Sequence, residues 1–342
     1  MSFKYIQKIP TPREIVEEMP LSEKLKKLKA DRDKNIINVL KGNDSRFILI
    51  IGPCSADDED ALCEYVSRLS QVQDKVKDKL ILIPRIYTNK PRTTGQGYKG
   101  MLHQPKAAEG PNISQGIIAI RRMHLRVLAE SGLTAADEML YPGNYPYLED
   151  ILSYVTIGAR SVENQEHRLT VSGLDIPVGM KNPTSGDLNV LLNSVQAAQI
   201  QHTFIYNGWE VKTDGNPLAH CILRGAINHH GQSIPNYHYE DLISFVQLYL
   251  KRNLTNPALI VDVNHANSNK DFTQQPCIAE EVMRSVKRSK DLKKVIKGIM
   301  IESYLEEGAQ EVAGKIFGKS ITDACLGWLD TEKLIFTLAD YI

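Results

Sequence analysis

The chain has 342 residues, 42% of them hydrophobic and 24% charged, with 41 basic residues balanced by 41 acidic ones. This is enough apolar material for one large core. A formal net charge of zero excludes a global attraction to nucleic acid or to a membrane surface, so any anion-binding charge must be local.

Five cysteines occur, Cys54, Cys63, Cys221, Cys277 and Cys325, and none forms a C-x-x-C pair. That pattern argues against a disulfide framework and for a reducing, cytoplasmic setting. The opening MSFKYIQKIPTPREI has no apolar signal core, and no run reaches the ~20 apolar residues of a membrane span. Residues 1–42 are polar and charged. Thr11-Pro12-Arg13-Glu14 predicts a capped helix start, with Thr at the cap, Pro at the first position and Glu at the third. Ser22 predicts a second cap, for a helix ending at Gly42. These residues read as a helical arm, either solvated or packed on another subunit, ahead of a domain spanning 43–342.

From residue 47 short apolar runs alternate with helical stretches. The runs are FILII (47–51), LILIPRIY (80–87), LTAADEML (133–140), YVTIGAR (154–160), IPVGMKN (176–182), HTFIY (202–206), LIVDVNHA (259–266) and IKGIMIES (296–303). Apolar runs of this length spaced by helices predict a parallel sheet buried on both faces. Eight such units predict an α/β fold, a (β/α)₈ TIM barrel, with a doubly wound open sheet as the alternative. No G-x-G-x-x-G follows the first run, which counts against the dinucleotide-binding version of that alternative. Two segments break the rhythm. Residues 88–112 form a Pro/Gly/Lys-rich loop of a length that is usually functional. Residues 207–236 contain CILRGA (221–226) between turn residues, read as an extra hairpin near 207–226.

In barrels of this kind the chemistry lies at the C-terminal ends of the strands. Here the runs end at or carry Cys54, Arg85, Glu138, Arg160, Lys181, Arg224, His265 and Glu302. Apolar strands that repeatedly finish in ionisable residues are hard to explain as packing. Cys54, His265 and Glu302, with Asp323 from a following loop, are metal-ligand types suited to a divalent Mn, Fe, Co or Zn ion. Taken singly, Cys54 reads equally as a small buried hydrophobe and Asp323 as a helix cap. Arg85, Lys90, Arg92, Arg160, Lys181 and Arg224 form a cationic group, and six cations at one mouth of a neutral protein imply phosphate or carboxylate ligands. Each alone could instead pair with a neighbouring acid.

The motifs IGPCS, PRIYTNKPRTT, IGARSVENQEHR, PVGMKN, ILRG, VDVNHANS, IES and GKSITDACLGW occur in one order over residues 30–330. Together they resemble the type I DAHP synthases. The resemblance implies a barrel enzyme, homodimeric or homotetrameric, that joins phosphoenolpyruvate to erythrose 4-phosphate and releases phosphate, at the start of aromatic amino acid biosynthesis. It implies a metal held by Cys54, His265, Glu302 and Asp323. It implies phosphoenolpyruvate gripped by Arg85, Arg160, Lys181 and Arg224 with the Gly158–Ala159 backbone and Glu138. The aldehyde would lie at Lys90, Arg92, Thr93 and Thr94, with Lys90 or a metal-bound water moving a proton. Departures from the pattern are Ala56-Asp57-Asp58 after GPCS, Met139-Leu140-Tyr141 after Glu138, Asn264 before His265, and Tyr304 after Glu302-Ser303. Tyr141 stands where the family carries an acid, so weak control by aromatic amino acids is expected. Three other readings stand beside this one: a paralogue for another aldehyde, a Schiff-base aldolase through Lys181, and a metabolite-sensing barrel.

Overall fold

The computed structural model describes residues 2–342. Its centre is a ring of eight strands: β1 (Phe47–Gly52), β2 (Leu80–Pro84), β3 (Ala136–Glu138), β4 (Tyr154–Ile157), β5 (Val178–Lys181), β6 (Ala219–Leu223), β7 (Leu259–Asp262) and β8 (Ile296–Glu302). They pair in the order β2-β1-β8-β7-β6-β5-β4-β3, every ladder parallel. A parallel bridge between Arg85 and Ala136, with Ile86 N donating to Ala136 O at 2.8 Å, closes the ring. Helices lie between most strands, as a parallel sheet covered on both sides requires.

One strand assignment changes. HTFIY is not the sixth barrel strand; CILRG supplies it through β6. Thr203–Tyr206 instead pairs antiparallel with Trp209–Lys212 in a hairpin outside the barrel, so the extra hairpin spans 203–212 rather than 207–226. The reason is local. Asn207 (φ 50°) and Gly208 (φ 82°) both take the left-handed conformation, the geometry that an Asn-Gly pair favours in a two-residue hairpin turn. The hairpin strands are half-buried at most, whereas every residue of β6 is buried. A second small hairpin, Ala226–Ile227 with Ser233–Ile234, follows.

Side-chain alternation divides the core in two. Ile48, Ile50, Ile81, Ile83, Ala136, Tyr154, Ile222, Ile260 and Met300 fill the barrel interior. Their strand neighbours Leu49, Ile51, Leu82, Val155, Cys221, Val261 and Ile299 pack outward against the helices. Glycines make room inside: a Cβ on Gly179 would lie 2.2 Å from Tyr154 Oη, and one on Gly298 2.5 Å from Ile48 O.

The N-terminal residues close the other end. Thr11 and Glu14 form the expected capping box for helix α1 (Pro12–Glu18). Ser22 caps α2 (Glu23–Lys41), which ends at Gly42 in the left-handed conformation. Ile36, Val39 and Leu40 of α2 are buried in the same cluster as the barrel interior. Arg32 Nη2 donates to Leu82 O at 2.6 Å. The second helix thus plugs the barrel at the end away from the ionisable residues.

Candidate active site

The inward parity of the strands decides which side chains meet. Counting by twos from the interior residues, Arg85 and Tyr87 follow Ile83, Arg224 follows Ile222, Asp262 follows Ile260 and Glu302 follows Met300. Each therefore continues an inward-facing column past the last apolar layer. The same counting puts Glu138, Gly158 and Lys181 inside. Gly158 is a glycine for a reason visible here, since its Cβ would lie 2.0 Å from Glu138 Oε1.

Cys54, Glu302 and Asp323 converge, their ligand atoms all within 4.8 Å of one another. Glu302 is fully buried and both its oxygens are engaged: Arg85 Nη1 donates to Oε1 at 2.5 Å and Asn264 Nδ2 to Oε2 at 2.7 Å. Burial opposes its ionisation, but Arg85, His265 and Lys90 outweigh that and hold its pKa at about 2. Burial and the neighbouring Glu302 push the Cys54 thiol up, against Lys90 and Arg85. A thiol and two carboxylates crowded together with the thiol disfavoured as thiolate form a donor set that needs a cation, and soft sulfur with hard oxygen suits a borderline divalent ion. Asp323 is held by a protein cation in this arrangement: Lys270 Nζ donates to both its oxygens at 3.0 Å.

His265 is beside this group but not within it. Its Nε2 lies 3.7 Å from Glu302 Oε1, and its Nδ1 lies 2.9 Å from Asp262 Oδ2. The residue follows β7 in a left-handed turn (φ 52°), an uncommon backbone choice outside glycine. Burial lowers its pKa despite the pull of Asp262, and a neutral imidazole is the form a metal takes. The structure thus brings three of the four expected ligands together and leaves the fourth one contact away.

The cations form the other half. Arg85 stacks over the Tyr87 ring at 4.0 Å, and Lys90 and Lys181 each stand 6.0 Å from it. Lys90 Nζ donates to Cys54 O, and Arg85 Nη2 to the same carbonyl at 3.4 Å. Burial works against the Lys90 charge, yet Cys54, Glu302 and Glu138 leave its pKa raised. Lys181 Nζ donates to Asp262 Oδ2 at 2.9 Å, both groups buried. Paired with a buried carboxylate, Lys181 is not a free amine nucleophile, which weighs against the Schiff-base reading. Arg224 is 7% exposed and its Nη1 is buried without a partner. Burial lowers its pKa, with Asp262 opposing. A buried guanidinium without a protein partner has the chemistry of an anion-binding group.

The remaining expected residues lie at the rim. Arg160 is exposed and Ala159 half-buried. Arg92 folds back so that Nε donates to Tyr98 O at 2.7 Å, while Thr93 and Thr94 are exposed in the 88–112 loop. That loop is anchored at its start, where Thr88 N and Oγ1 donate to the two oxygens of Asp137 at 2.9 and 2.5 Å. The sequence reading missed Tyr87, Asp262 and Asn264. Their signal was the parity just described for Tyr87 and Asp262, and the i, i+3 spacing of Asp262 to His265. Asn264 entered that reading only as a departure from the family pattern, with no role attached.

Comparison with known proteins agrees with this geometry. The DAHP synthetase I family profile matches residues 19–335. The chain is 37% identical over 351 aligned positions to the Phe-sensitive phospho-2-dehydro-3-deoxyheptonate aldolase of Escherichia coli (strain K12), covering 100% of this chain and 97% of that protein. It is 36% identical to the phospho-2-dehydro-3-deoxyheptonate aldolase of Haemophilus influenzae, covering 98% of this chain and 92% of that one. The solved phospho-2-dehydro-3-deoxyheptonate aldolase of Francisella tularensis SCHU S4 superposes with a TM-score of 0.92 at 30% identity, covering 100% of this chain and 98% of that one. With matches of this length on profile, sequence and structure, the chain belongs to the DAHP synthetase I family.

Proposed function

We propose that the chain is a metal-dependent transferase that condenses phosphoenolpyruvate with erythrose 4-phosphate, giving DAHP and inorganic phosphate, the first step toward the aromatic amino acids. The observation that carries this reading is the unpartnered, buried Arg224 guanidinium, beside a thiol–carboxylate donor set at the C-terminal mouth of the barrel. Two phosphorylated substrates repel each other, and a site that joins them needs cations for both.

In this reading Arg224, Lys181 and Arg160, with the Gly158–Ala159 backbone, hold phosphoenolpyruvate, and Arg85 and Glu138 shape its pocket. Arg92, Thr93 and Thr94 hold the phosphate of the aldehyde substrate, which draws the exposed stretch at 93–97 inward. Lys90, charged and close to Cys54, moves a proton at the aldehyde oxygen. Cys54, Glu302 and Asp323, with His265 turned one contact inward, hold a divalent Mn, Fe, Co or Zn ion. When bound, that ion supplies Lewis-acid polarisation of the aldehyde carbonyl. The enzyme works as a homodimer or homotetramer in the cytoplasm. Five free cysteines support a reducing setting, no helix among the described residues is long and apolar enough to cross a membrane, and Phe3, Tyr5, Ile6, Ile205 and Trp209 expose apolar surface for subunit contact.

The deciding assay is phosphate release from phosphoenolpyruvate with and without erythrose 4-phosphate, before and after chelation. Release that needs both the aldehyde and the metal supports the reading. Turnover with another phosphorylated aldehyde alone points to a paralogue, borohydride trapping on Lys181 to a Schiff-base aldolase, and tight binding without turnover to a sensor.

A further inference from the structure

One carboxylate oxygen at the barrel mouth serves two masters. Asp262 Oδ2 accepts from Lys181 Nζ at 2.9 Å and lies 2.9 Å from His265 Nδ1, a buried nitrogen that makes an ionic contact there without an aligned hydrogen bond. Its other oxygen, Oδ1, accepts from the Asn264 amide at 3.0 Å, which fixes the carboxylate in place. Asp262 is fully buried. Asn267 Nδ2 donates to the Asp262 carbonyl at 2.7 Å and holds the backbone. Lys181 belongs to the anion-gripping half of the site and His265 adjoins the cation-binding half. Among the described residues, Asp262 is the one side chain in ionic contact with both Lys181 and His265.

We propose that Asp262 is a positioning residue that couples the two halves energetically, so that filling the cation site strengthens the grip on the anionic substrate. A histidine bound to a cation through Nε2 becomes a stronger donor from Nδ1. It then takes a larger share of Asp262 Oδ2. The Lys181–Asp262 contact weakens by that share, and the ammonium is released toward a substrate carboxylate. In reverse, a substrate that draws Lys181 away leaves Oδ2 to His265 and makes the ring a better ligand. Linkage requires the two effects to be equal. The substrate half of this argument rests on the proposed role of Lys181; the His265 half does not.

The test uses the full-length protein with Co²⁺ as probe, followed by its visible absorbance, with and without saturating phosphoenolpyruvate. In the unsubstituted protein phosphoenolpyruvate tightens Co²⁺ binding by at least about five-fold, the lower range of ordinary allosteric coupling. Asp262→Asn brings that ratio to about one while circular dichroism stays unchanged, and Asp262→Glu retains part of it. Lys181→Met, measured without phosphoenolpyruvate, tightens Co²⁺ because Oδ2 is left to His265. Arg224→Met, which removes a cation not bonded to Asp262, sets the size of a purely coulombic shift, and the Lys181→Met shift exceeds it. A ratio of one in the unsubstituted protein that binds both ligands overturns the proposal, as does an undiminished ratio in Asp262→Asn. If Asp262→Asn does not fold, the Lys181→Met shift decides: equality with Arg224→Met overturns it. Failure of phosphoenolpyruvate to bind at all would count against the proposed function instead, and the Lys181→Met comparison would still judge the coupling.

Discussion

Two arginines at the barrel mouth carry opposite stability consequences. Arg85 is 1% exposed and paired with the fully buried Glu302, so Arg85→Met strands a carboxylate in the interior and costs about 3–5 kcal/mol. Arg224 has no partner on Nη1, so Arg224→Met leaves urea stability unchanged or raised while weakening phosphoenolpyruvate by about 1.5–3 kcal/mol. Denaturation midpoints and KM for each substrate check both, and a rise in the aldehyde KM alone for Arg224→Met would break the assignment. Asp57 makes a pH prediction. Burial and the adjacent Asp58 raise its pKa from 3.8 to about 7, and its Oδ1 is buried without a partner. Between those values the folded protein holds a proton that the unfolded chain has lost, so stability falls as pH rises and levels off above about 7. Asp57→Asn removes this slope: no gain near pH 4, and of order 1–2 kcal/mol at pH 8 after screening at a half-buried site. Thermal melts at the two pH values decide it.

At the scale of elements, the exchange of HTFIY for CILRG as the sixth strand is directly measurable. Ile205 and Trp209 of the hairpin are 80% and 75% exposed, whereas Ile222 of β6 is 0% exposed. Ile205→Ser or Trp209→Ser in the monomeric fold shifts stability by no more than about 0.5 kcal/mol, and Ile222→Ala costs about 2–5 kcal/mol. Equal losses would restore the first assignment. The segment after β3 bears on control. The void beneath Tyr141, lined by Met139, Leu140, Tyr145 and Leu148, is about 20 Å³, too small for an aromatic ring. A cleft of about 720 Å³ opens between Tyr145, Ser172, Phe204 and Val211. The expectation from Tyr141 is that millimolar phenylalanine, tyrosine or tryptophan changes substrate affinity by less than the roughly five-fold of ordinary allosteric coupling. Stronger inhibition, relieved by changing Phe204 rather than Tyr141, would move the effector to that cleft.

For the molecule as a whole, the cation site ties β1, β8 and the loop carrying Asp323 together through Cys54, Glu302 and Asp323. A ligand that binds only the folded chain stabilises it by about 2.7 kcal/mol at a hundred times its Kd. Chelation of a site at that saturation therefore lowers Tm by roughly 5–11 °C, at about 2–4 °C per kcal/mol for a large domain, and Mn²⁺ or Co²⁺ restores it. Cys54→Ala abolishes the metal dependence of Tm while remaining folded. A Tm indifferent to chelator in the unsubstituted protein would argue against a site built from these residues.

The sequence by itself determined the period of the fold and the chemistry at its strand ends. Runs such as FILII and LIVDV can be buried on both faces only in a covered parallel sheet, and Arg85, Lys181, Arg224 and Glu302 at their ends mark one mouth. Capping residues are equally local, so Thr11, Ser22 and Gly42 were legible too. The Asn207-Gly208 turn is an equally local signal, and the assignment of HTFIY to the barrel did not use it. Tertiary structure alone decided the partners. Whether Lys181 meets Asp262, Arg85 meets Glu302 and Asn264 reaches Glu302 depends on how neighbouring strands stagger around the ring. These pairs are separated by 38 to 217 residues in the chain, and no local pattern encodes contacts at that range. The same holds for α2, whose Ile36, Val39 and Leu40 read as an arm because a plug is defined only by the barrel end it fills.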